Sequence, residues 1–416
     1  MRACFDLEWR SFLQALDSLG FGSLSSAQSA ERKFLGEKPS YRLDSLFRRF
    51  PVLPELWSLA IGQWGNHISE VLERSKKDRT AISRCFFGGR RVGEIKDIRP
   101  GLSDPHDGGR TVTFLEFESG RLIYKPRSGQ NEAAWFDLLN WMSRHGFSPE
   151  LRGARVLERP SYSWMEFVEG SPCNNKASVR RFYERLGGMI AAAYLLKAVD
   201  CHRENVIAAG ENPVLVDADA LWHVSAVTKT QTSATVLYRT GFFPNSRRRS
   251  LQSRSSVLGF SRTGNHLARI DERPVVASDY ADEIIRGFSC GWKCLVGNAH
   301  RRAALRKRLA EIRGFKRRWI YLATAKYAAI RTASLSPAAL RSEAEREALL
   351  ECLCFRAGVS RRVSQAEIKA LRQLDLPYFL HTTDELMPPD KGPVPVELTS
   401  AIRNALRSTL FRTSRG

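Results

Sequence analysis

The sequence predicts an α+β fold, and three observations carry that expectation. Residues 111–117 and 121–125 are rich in β-formers and are separated only by Glu118, Ser119 and Gly120, the pattern of a hairpin. Residues 178–199 keep an apolar helical period that ends in Ala191-Ala192-Ala193-Tyr194-Leu195-Leu196. After residue 278 the chain reads as mostly helical to about 373, so strands gather in the first half and helices in the second.

The other elements follow in order. Residues 1–80 read as amphipathic helix, with Pro51 and Pro54 breaking the pattern after Phe50. Residues 130–147 suit a helix, and 154–158 and 162–168 suit strands. Two short strands are expected at 205–208 and 213–217. Residues 226–275 are rich in Ser, Thr, Arg and Gly and read as a long loop or insertion. One apolar stretch lies at 318–324, and a proline-bearing tail from 385 leads to a last amphipathic helix and a basic end.

Composition narrows the class. With 416 residues, the chain suits two or three packed subdomains. Hydrophobic residues at 43% suffice for a sizeable core, which excludes global disorder. No apolar run approaches the ~20 residues of a membrane span, and the first residues lack the apolar stretch of a signal peptide, so the default location is cytoplasmic. The eight cysteines, at 4, 85, 173, 201, 290, 294, 352 and 354, form no C-x-x-C pair and read as reduced thiols rather than a zinc or disulfide framework. The net charge of +21 implies an anionic partner. Nucleic acid is disfavoured, because no zinc-finger spacing, basic zipper or RNP-type aromatic motif is present. A basic surface with nucleotide phosphates as one target accounts for short runs such as Arg247-Arg248-Arg249 and Lys316-Arg317-Arg318.

The segment that carries chemistry is Asp200-Cys201-His202-Arg203-Glu204-Asn205, followed by Leu215-Val216-Asp217. Asp200 and Asn205 stand five positions apart, the spacing of a protein-kinase catalytic loop, where Asp orients a hydroxyl and Asn binds magnesium. A second metal-binding Asp is expected about a dozen residues on, and Asp217 ends a short apolar run there. Magnesium needs hard oxygen ligands, which one or two carboxylates and phosphates supply. Lys125, at the end of a predicted strand, suits a cation on the transferring phosphoryl group. Taken alone, D-x-x-x-x-N also fits ordinary polar residues around turns; the order Lys, Asp, Asn, Asp on these elements is what reads as kinase-like. The expected layout is a helical region over 1–84, a first lobe over 85–170, a second lobe over 171–384 with the 226–275 insertion, and a basic tail over 385–416.

Longer motifs then show a resemblance. Phe47-Arg48-Arg49-Phe50-Pro51-Val52-Leu53, Asp104-Pro105-His106-Asp107-Gly108-Gly109-Arg110, Tyr124-Lys125-Pro126-Arg127 and Tyr162-Ser163-Trp164-Met165-Glu166-Phe167 form one ordered set with the Asp200–Asn205 segment. Arg239-Thr240-Gly241-Phe242-Phe243-Pro244 and Asp375-Leu376-Pro377-Tyr378-Phe379 complete it. The set resembles the dehydratase domain of class II lanthipeptide synthetases. The resemblance implies a lipid-kinase-like, protein-kinase-like two-lobed core with added helices at both ends. It implies ATP- and Mg2+-dependent phosphorylation of Ser and Thr in a ribosomal precursor peptide, followed by phosphate elimination to dehydroamino acids. Lys125 and Glu166 would then serve the nucleotide, and Asp200 with His202 the substrate hydroxyl. Asn205, Asp217 and Asp219 would hold magnesium. Asp104, His106, Arg318 and Thr324 match positions used for elimination.

Proton transfer by His106 near neutral pH and phosphate capture by Arg318 make chemical sense for that step. Read without the resemblance, His106 is a turn histidine bonded to its neighbours, and Arg318 and Thr324 belong to a basic surface element. The chain departs from the pattern at Leu322-Ala323-Thr324, where the family shows Arg-Pro-Thr, and at Asp219, where it shows Glu. The amino-terminal region is shorter than usual, and ring closure is expected to need a separate cyclase. A peptide kinase without elimination is the alternative that Leu322 favours. A pseudoenzyme that binds nucleotide or precursor peptide as a partner subunit is a third, which the intact Lys125, Asp200, Asn205 and Asp217 oppose.

Overall fold

The computed structural model describes residues 44, 46–221, 233–243, 266–271, 273–312, 314–356, 359–382 and 396–410. The first half of the expected amino-terminal helix (with Cys4), the Arg247–Arg249 run, Pro244 and much of the 226–275 insertion lie outside them.

In chain order the elements are α1 (Leu53–Lys77), α2 (Arg79–Phe86), β1 (Ile95–Arg99), β2 (Thr113–Phe117), β3 (Gly120–Lys125), α3 (Gln130–Arg144), β4 (Val156–Glu158) and β5 (Ser163–Glu166). There follow α4 (Lys176–Leu195), β6 (Val206–Ala209), β7 (Asn212–Leu215), α5 (Ser233–Arg239), β8 (Arg269–Ile270) and β9 (Arg273–Pro274). After a 3-10 turn at Ala277–Tyr280 come α6 (Ala281–Val296), α7 (Ala299–Glu311), β10 (Arg317–Trp319), α8 (Thr324–Ala333), α9 (Glu343–Cys354), α10 (Arg361–Arg372), β11 (Phe379–His381) and α11 (Val396–Leu410). The fold is α+β. The segment read as loop is corrected at two places: Ser233–Arg239 is helical, because Ala234, Val236, Leu237 and Tyr238 are apolar and Leu237 is fully buried, and Arg269–Ile270 pairs with Arg273–Pro274. Pro54 stands in the first turn of α1, where its missing N–H breaks no helical bond, so the interruption after Phe50 is a helix start. No helix among the described residues is long and apolar enough to cross a membrane.

The chain divides into two compact units. The larger comprises Asp78–Arg99, Thr113–Trp319 and Phe379–Gly416. Its sheet has the order β1-β2-β3-β5-β4 with every neighbouring pair antiparallel. The β2–β3 hairpin runs from Thr113 opposite Tyr124 to Phe117 opposite Gly120, whose φ of 145° suits a residue without a side chain. Leu115, Leu122, Tyr124 and Trp164 fill the buried face, and the Tyr124 and Trp164 rings meet edge to face at 5.2 Å.

Helix α4 begins where the Asn175 side chain accepts a hydrogen bond from the Ser178 N–H, a standard amino-terminal cap. Its run of small and apolar residues is buried on nearly every side, and α6 lies against it. The two helices approach through glycines. A methyl group on Gly287 would overlap the Glu184 carbonyl, and one on Gly187 would overlap the Ile284 carbonyl. Alanine normally stabilises a helix by up to about 1 kcal/mol over glycine. Here the overlap is with backbone, which cannot swing aside, so steric cost decides the sign. Gly287→Ala should lower the stability of this unit by about 1–3 kcal/mol, read as a shift in urea midpoint.

The smaller unit comprises residues up to Lys77, Pro100–Val112 and Ile320–Tyr378. Leu350, Cys354, Ile368, Leu371 and Leu376 pack around Tyr327, and a second cluster joins Val52 and Leu56 of the α1 region to Leu340. Glu367, fully buried, accepts hydrogen bonds from the Tyr327 hydroxyl and from Arg356 Nη2, the latter at 2.8 and 3.1 Å. Those donors satisfy a charge that burial alone would make costly.

Candidate functional site

In the larger unit the β6–β7 hairpin does the positioning. Its two strands pair from Val206 opposite Leu215 to Ala209 opposite Asn212. Asn205 and Asp217 flank its open end, and the Val216 N–H bonds the Asn205 carbonyl at 2.8 Å. Residues twelve apart in sequence thereby become neighbours in space. Asp200 precedes them with φ 66°, an uncommon conformation for a residue with a side chain. Two bonds to its carbonyl hold it there, one from Asn205 Nδ2 and one from the His202 N–H, both 2.8 Å. His202 Nε2 lies 3.4 Å from Asp200 Oδ1. The Arg-Thr-Gly-Phe-Phe motif packs beneath this loop. The Cys201 N–H bonds the Thr240 carbonyl at 2.8 Å, and a Cβ on Gly241, whose φ is 91°, would stand 3.1 Å from the Cys201 backbone.

Lys125 ends β3 and is buried. Its Nζ donates to Glu132 Oε1 at 2.8 Å and to the Val216 carbonyl at 2.6 Å, and lies 3.9 Å from Asp217 Oδ1. Glu132, in the first turn of α3, has a side chain only 1% exposed. Arg127 joins the same group. Its Nη1 donates to Glu132 Oε2 at 3.0 Å, and its Nη2 donates to both Glu132 Oε1 and Asp217 Oδ1 at 2.5 Å. Its Nε stands 3.8 Å from Asp219 Oδ2. Burial opposes ionisation of Glu132, yet Arg127 and Lys125 outweigh it and hold the carboxyl below the usual range. Burial likewise opposes ionisation of Asp217, and Lys125, Arg127 and Arg318 hold that carboxyl far below the usual range. Asp219 goes the other way: burial, then the charge of Asp217, push it up to about 6.

Arg318 lies on β10, whose register with β11 sets it opposite Leu380. Its N–H bonds the Asp219 carbonyl at 2.9 Å, and its Nη1 stands 3.6 Å from Asp200 Oδ2 and 4.0 Å from Asp219 Oδ2. Lys125, Asp200, His202, Asn205, Asp217, Asp219 and Arg318 are thus linked, directly or through one neighbour, within one unit.

Glu166 is not among them. It pairs with Arg152 at 3.0 Å and Arg155 at 3.1 Å, and lies opposite Leu122, three residues along β3 from Lys125. At the rise of a strand that is about 10 Å away. The acidic partner of Lys125 is Glu132. The sequence motifs contain Arg127 without giving it a role, and they leave out Glu132. The available signal was an acid in the first turn of the helix that follows the strand lysine, within reach of two basic residues.

The remaining candidates, Asp104, His106 and Thr324, belong to the smaller unit. The His106 and Arg110 backbones exchange hydrogen bonds at 3.0 and 2.9 Å across a turn, and His106 Nδ1 lies 2.7 Å from the Leu376 carbonyl. A carbonyl only accepts, so that contact fixes the proton on Nδ1. The ring also meets Tyr378 at 4.9 Å. Asp375 accepts from the N–H groups of Gly108 and Gly109 at 2.6 and 2.8 Å, two residues in left-handed conformations. Asp375→Ala should release this turn, and amide exchange at Gly108 and Gly109 should accelerate at least tenfold. Thr324 opens α8, and its neighbour Leu322 packs against the Tyr327 cluster.

Among the described residues no three His, Cys, Asp or Glu side chains converge as a metal cluster. None of the seven described cysteines forms a disulfide.

Comparison with known proteins adds two findings. The chain is 24% identical to the "Lacticin 481/lactococcin biosynthesis protein LcnDR2" of Lactococcus lactis subsp. lactis, across 80% of this chain and 40% of the relative. It therefore spans well under half of that relative's length. Residues 50–266 and 250–382 match the family described as "Domain of unknown function (DUF4135)". The lacticin relative agrees with the resemblance to class II lanthipeptide synthetases seen in the motifs, and the two matched stretches cover most of the chain: the chain belongs to the DUF4135 family.

Proposed function

We propose that the chain is a lanthipeptide dehydratase that phosphorylates Ser and Thr side chains of a ribosomal precursor peptide with ATP and Mg2+, then eliminates the phosphate. The observation that carries this reading is the buried Lys125–Glu132 pair beside Asp217, a strand lysine held by a helix acid next to a carboxylate. The lacticin relative supports the substrate class, and a separate cyclase would close any rings. The two lobes of a kinase-like core remain part of the proposal.

The donor set suits magnesium. Asp217 and Asp219 offer hard carboxylate oxygens, and Asn205, with Nδ2 engaged by the Asp200 carbonyl, is left to offer its amide oxygen. Bound magnesium would neutralise charge on the transferring phosphoryl group. Glu132 fixes Lys125 so that its ammonium reaches a phosphate oxygen without searching. Asp200 accepts the proton of the substrate hydroxyl, with His202 alongside. In the smaller unit His106, with its proton on Nδ1, offers Nε2 as a base for the α-proton that elimination removes, and in the larger unit Arg318 offers its fork of donors to a phosphate.

Mass spectrometry of a Ser/Thr/Cys-rich precursor peptide treated with protein, ATP and Mg2+ tests the proposal. Loss of water at modified residues is the expected result, and His106→Ala should leave phosphorylated peptide behind. An unchanged peptide with no ATP consumed would overturn it. A kinase that does not eliminate is the second reading, favoured by the apolar Leu322 and by the contacts of Arg318 with Asp200 and Asp219. Phosphopeptide as the sole product of the unaltered protein would select it.

A further inference from the structure

Arg127 stands where the proposed magnesium chemistry needs room. Its guanidinium touches Asp217 Oδ1 at 2.5 Å and Glu132 at 2.5 and 3.0 Å, and approaches Asp219 at 3.8 Å. Two of those three acids are the carboxylates that would ligate the ion. Its side chain is only 18% exposed, so it is held in place rather than waving in solvent. Three cations, Lys125, Arg127 and Arg318, face four carboxylates, Glu132, Asp200, Asp217 and Asp219. The cluster is already nearly neutral, which leaves little net charge to draw in a divalent ion. Arg127 also blocks one oxygen of Asp217 directly. Arg127 can change partner where Lys125 cannot. Lys125 is committed to Glu132 and to the Val216 carbonyl, whereas a planar fork can keep Glu132 with one edge and turn another towards a phosphate.

We propose that Arg127 is a resident cation that occupies the divalent-ion position and yields it when a nucleotide phosphate offers a replacement partner, so that metal and nucleotide bind cooperatively. This rests on the nucleotide-dependent reading above. Arg127 is then a second phosphate-binding side chain, and the protein without nucleotide takes up metal poorly.

Calorimetric titration with Mn2+ tests this on the full chain, with and without a non-hydrolysable ATP analogue. In the absence of nucleotide, Arg127→Met should bind Mn2+ at least about fivefold more tightly than the unaltered protein, the low end of ordinary coupling between sites. The gain in metal affinity on adding the analogue should shrink by a similar factor. Arg318→Met removes the same charge but frees no oxygen of Asp217, and should gain less than twofold. Arg127→Gln, which keeps a donor for Glu132, reads the same way should the Met variant not fold. Unchanged or weaker Mn2+ binding by both Arg127 variants overturns the inference, as does an equal gain in Arg318→Met. The metal-only arm involves no nucleotide, so its failure bears on Arg127 alone. Metal uptake without any nucleotide binding would instead overturn the phosphotransfer reading, and the exchange with it.

Discussion

Asp217→Asn is expected to lower peptide phosphorylation by at least about 10²–10³-fold, to the floor of a mass-spectrometric assay. The change preserves the shape of the side chain and removes its charge. In the proposed site Asp217 lies 3.9 Å from Lys125 and 2.5 Å from Arg127, just beyond the end of β7. An amide oxygen is a much weaker ligand for a hard divalent ion. The fold should survive, because the Asp217 side chain is 30% exposed and the hydrogen bond that closes the hairpin uses the Val216 backbone. The thermal midpoint should fall, because Lys125 and Arg127 lose a charged partner, while the protein stays folded at the assay temperature and turnover disappears. Full turnover by this variant would show that the metal is held elsewhere.

The second large effect is on stability. Glu132→Gln should destabilise the larger unit by about 3–5 kcal/mol, because it leaves Lys125 and Arg127 facing a neutral partner in a nearly dry site. The glutamine's amide oxygen and the Val216 carbonyl can still accept from Lys125, but its remaining charged partner is the more distant Asp217. The pH dependence supplies a second readout. The folded state holds the Glu132 carboxyl below its usual value of 4.5, so the acid contributes stability above that pH. The contribution is lost as pH falls through the depressed folded value. The gap in urea midpoint between the unaltered protein and Glu132→Gln should be widest near pH 7 and should close as the solution is acidified below about pH 4. A gap that does not change with pH would mean that the carboxylate's charge does not stabilise this site.

Local patterns in the sequence were enough to place many elements. The β2–β3 hairpin followed from β-rich runs around Glu118-Ser119-Gly120, and α4 from an unbroken apolar period. Helix α5 was not legible, because a seven-residue turn of helix within a Ser/Thr/Arg-rich stretch is too short to show its period, and burial of Leu237 decides it. The same divide runs through the candidate site. Asp200, Asn205 and Asp217 are close in sequence, and one hairpin closes the gap between them. Lys125, Arg127 and Glu132 are also close in sequence, but the motifs stop at Arg127, and only the placement of Glu132 in the first turn of α3 marks it as their partner. Glu166 shares the sheet with Lys125, but register places it three residues further along.

The polypeptide passes between the two units five times, at residues 77–78, 99–100, 112–113, 319–320 and 378–379. That interleaving governs how the molecule is made. A ribosome delivers α1 first, yet Leu340, which covers Val52 and Leu56, emerges nearly three hundred residues later. The apolar side of α1 must stay shielded throughout that interval, which makes the nascent chain a natural client for chaperones. For the same reason neither unit can be cut out as one continuous stretch, and any attempt to dissect the protein by truncation will strand half of a core in water.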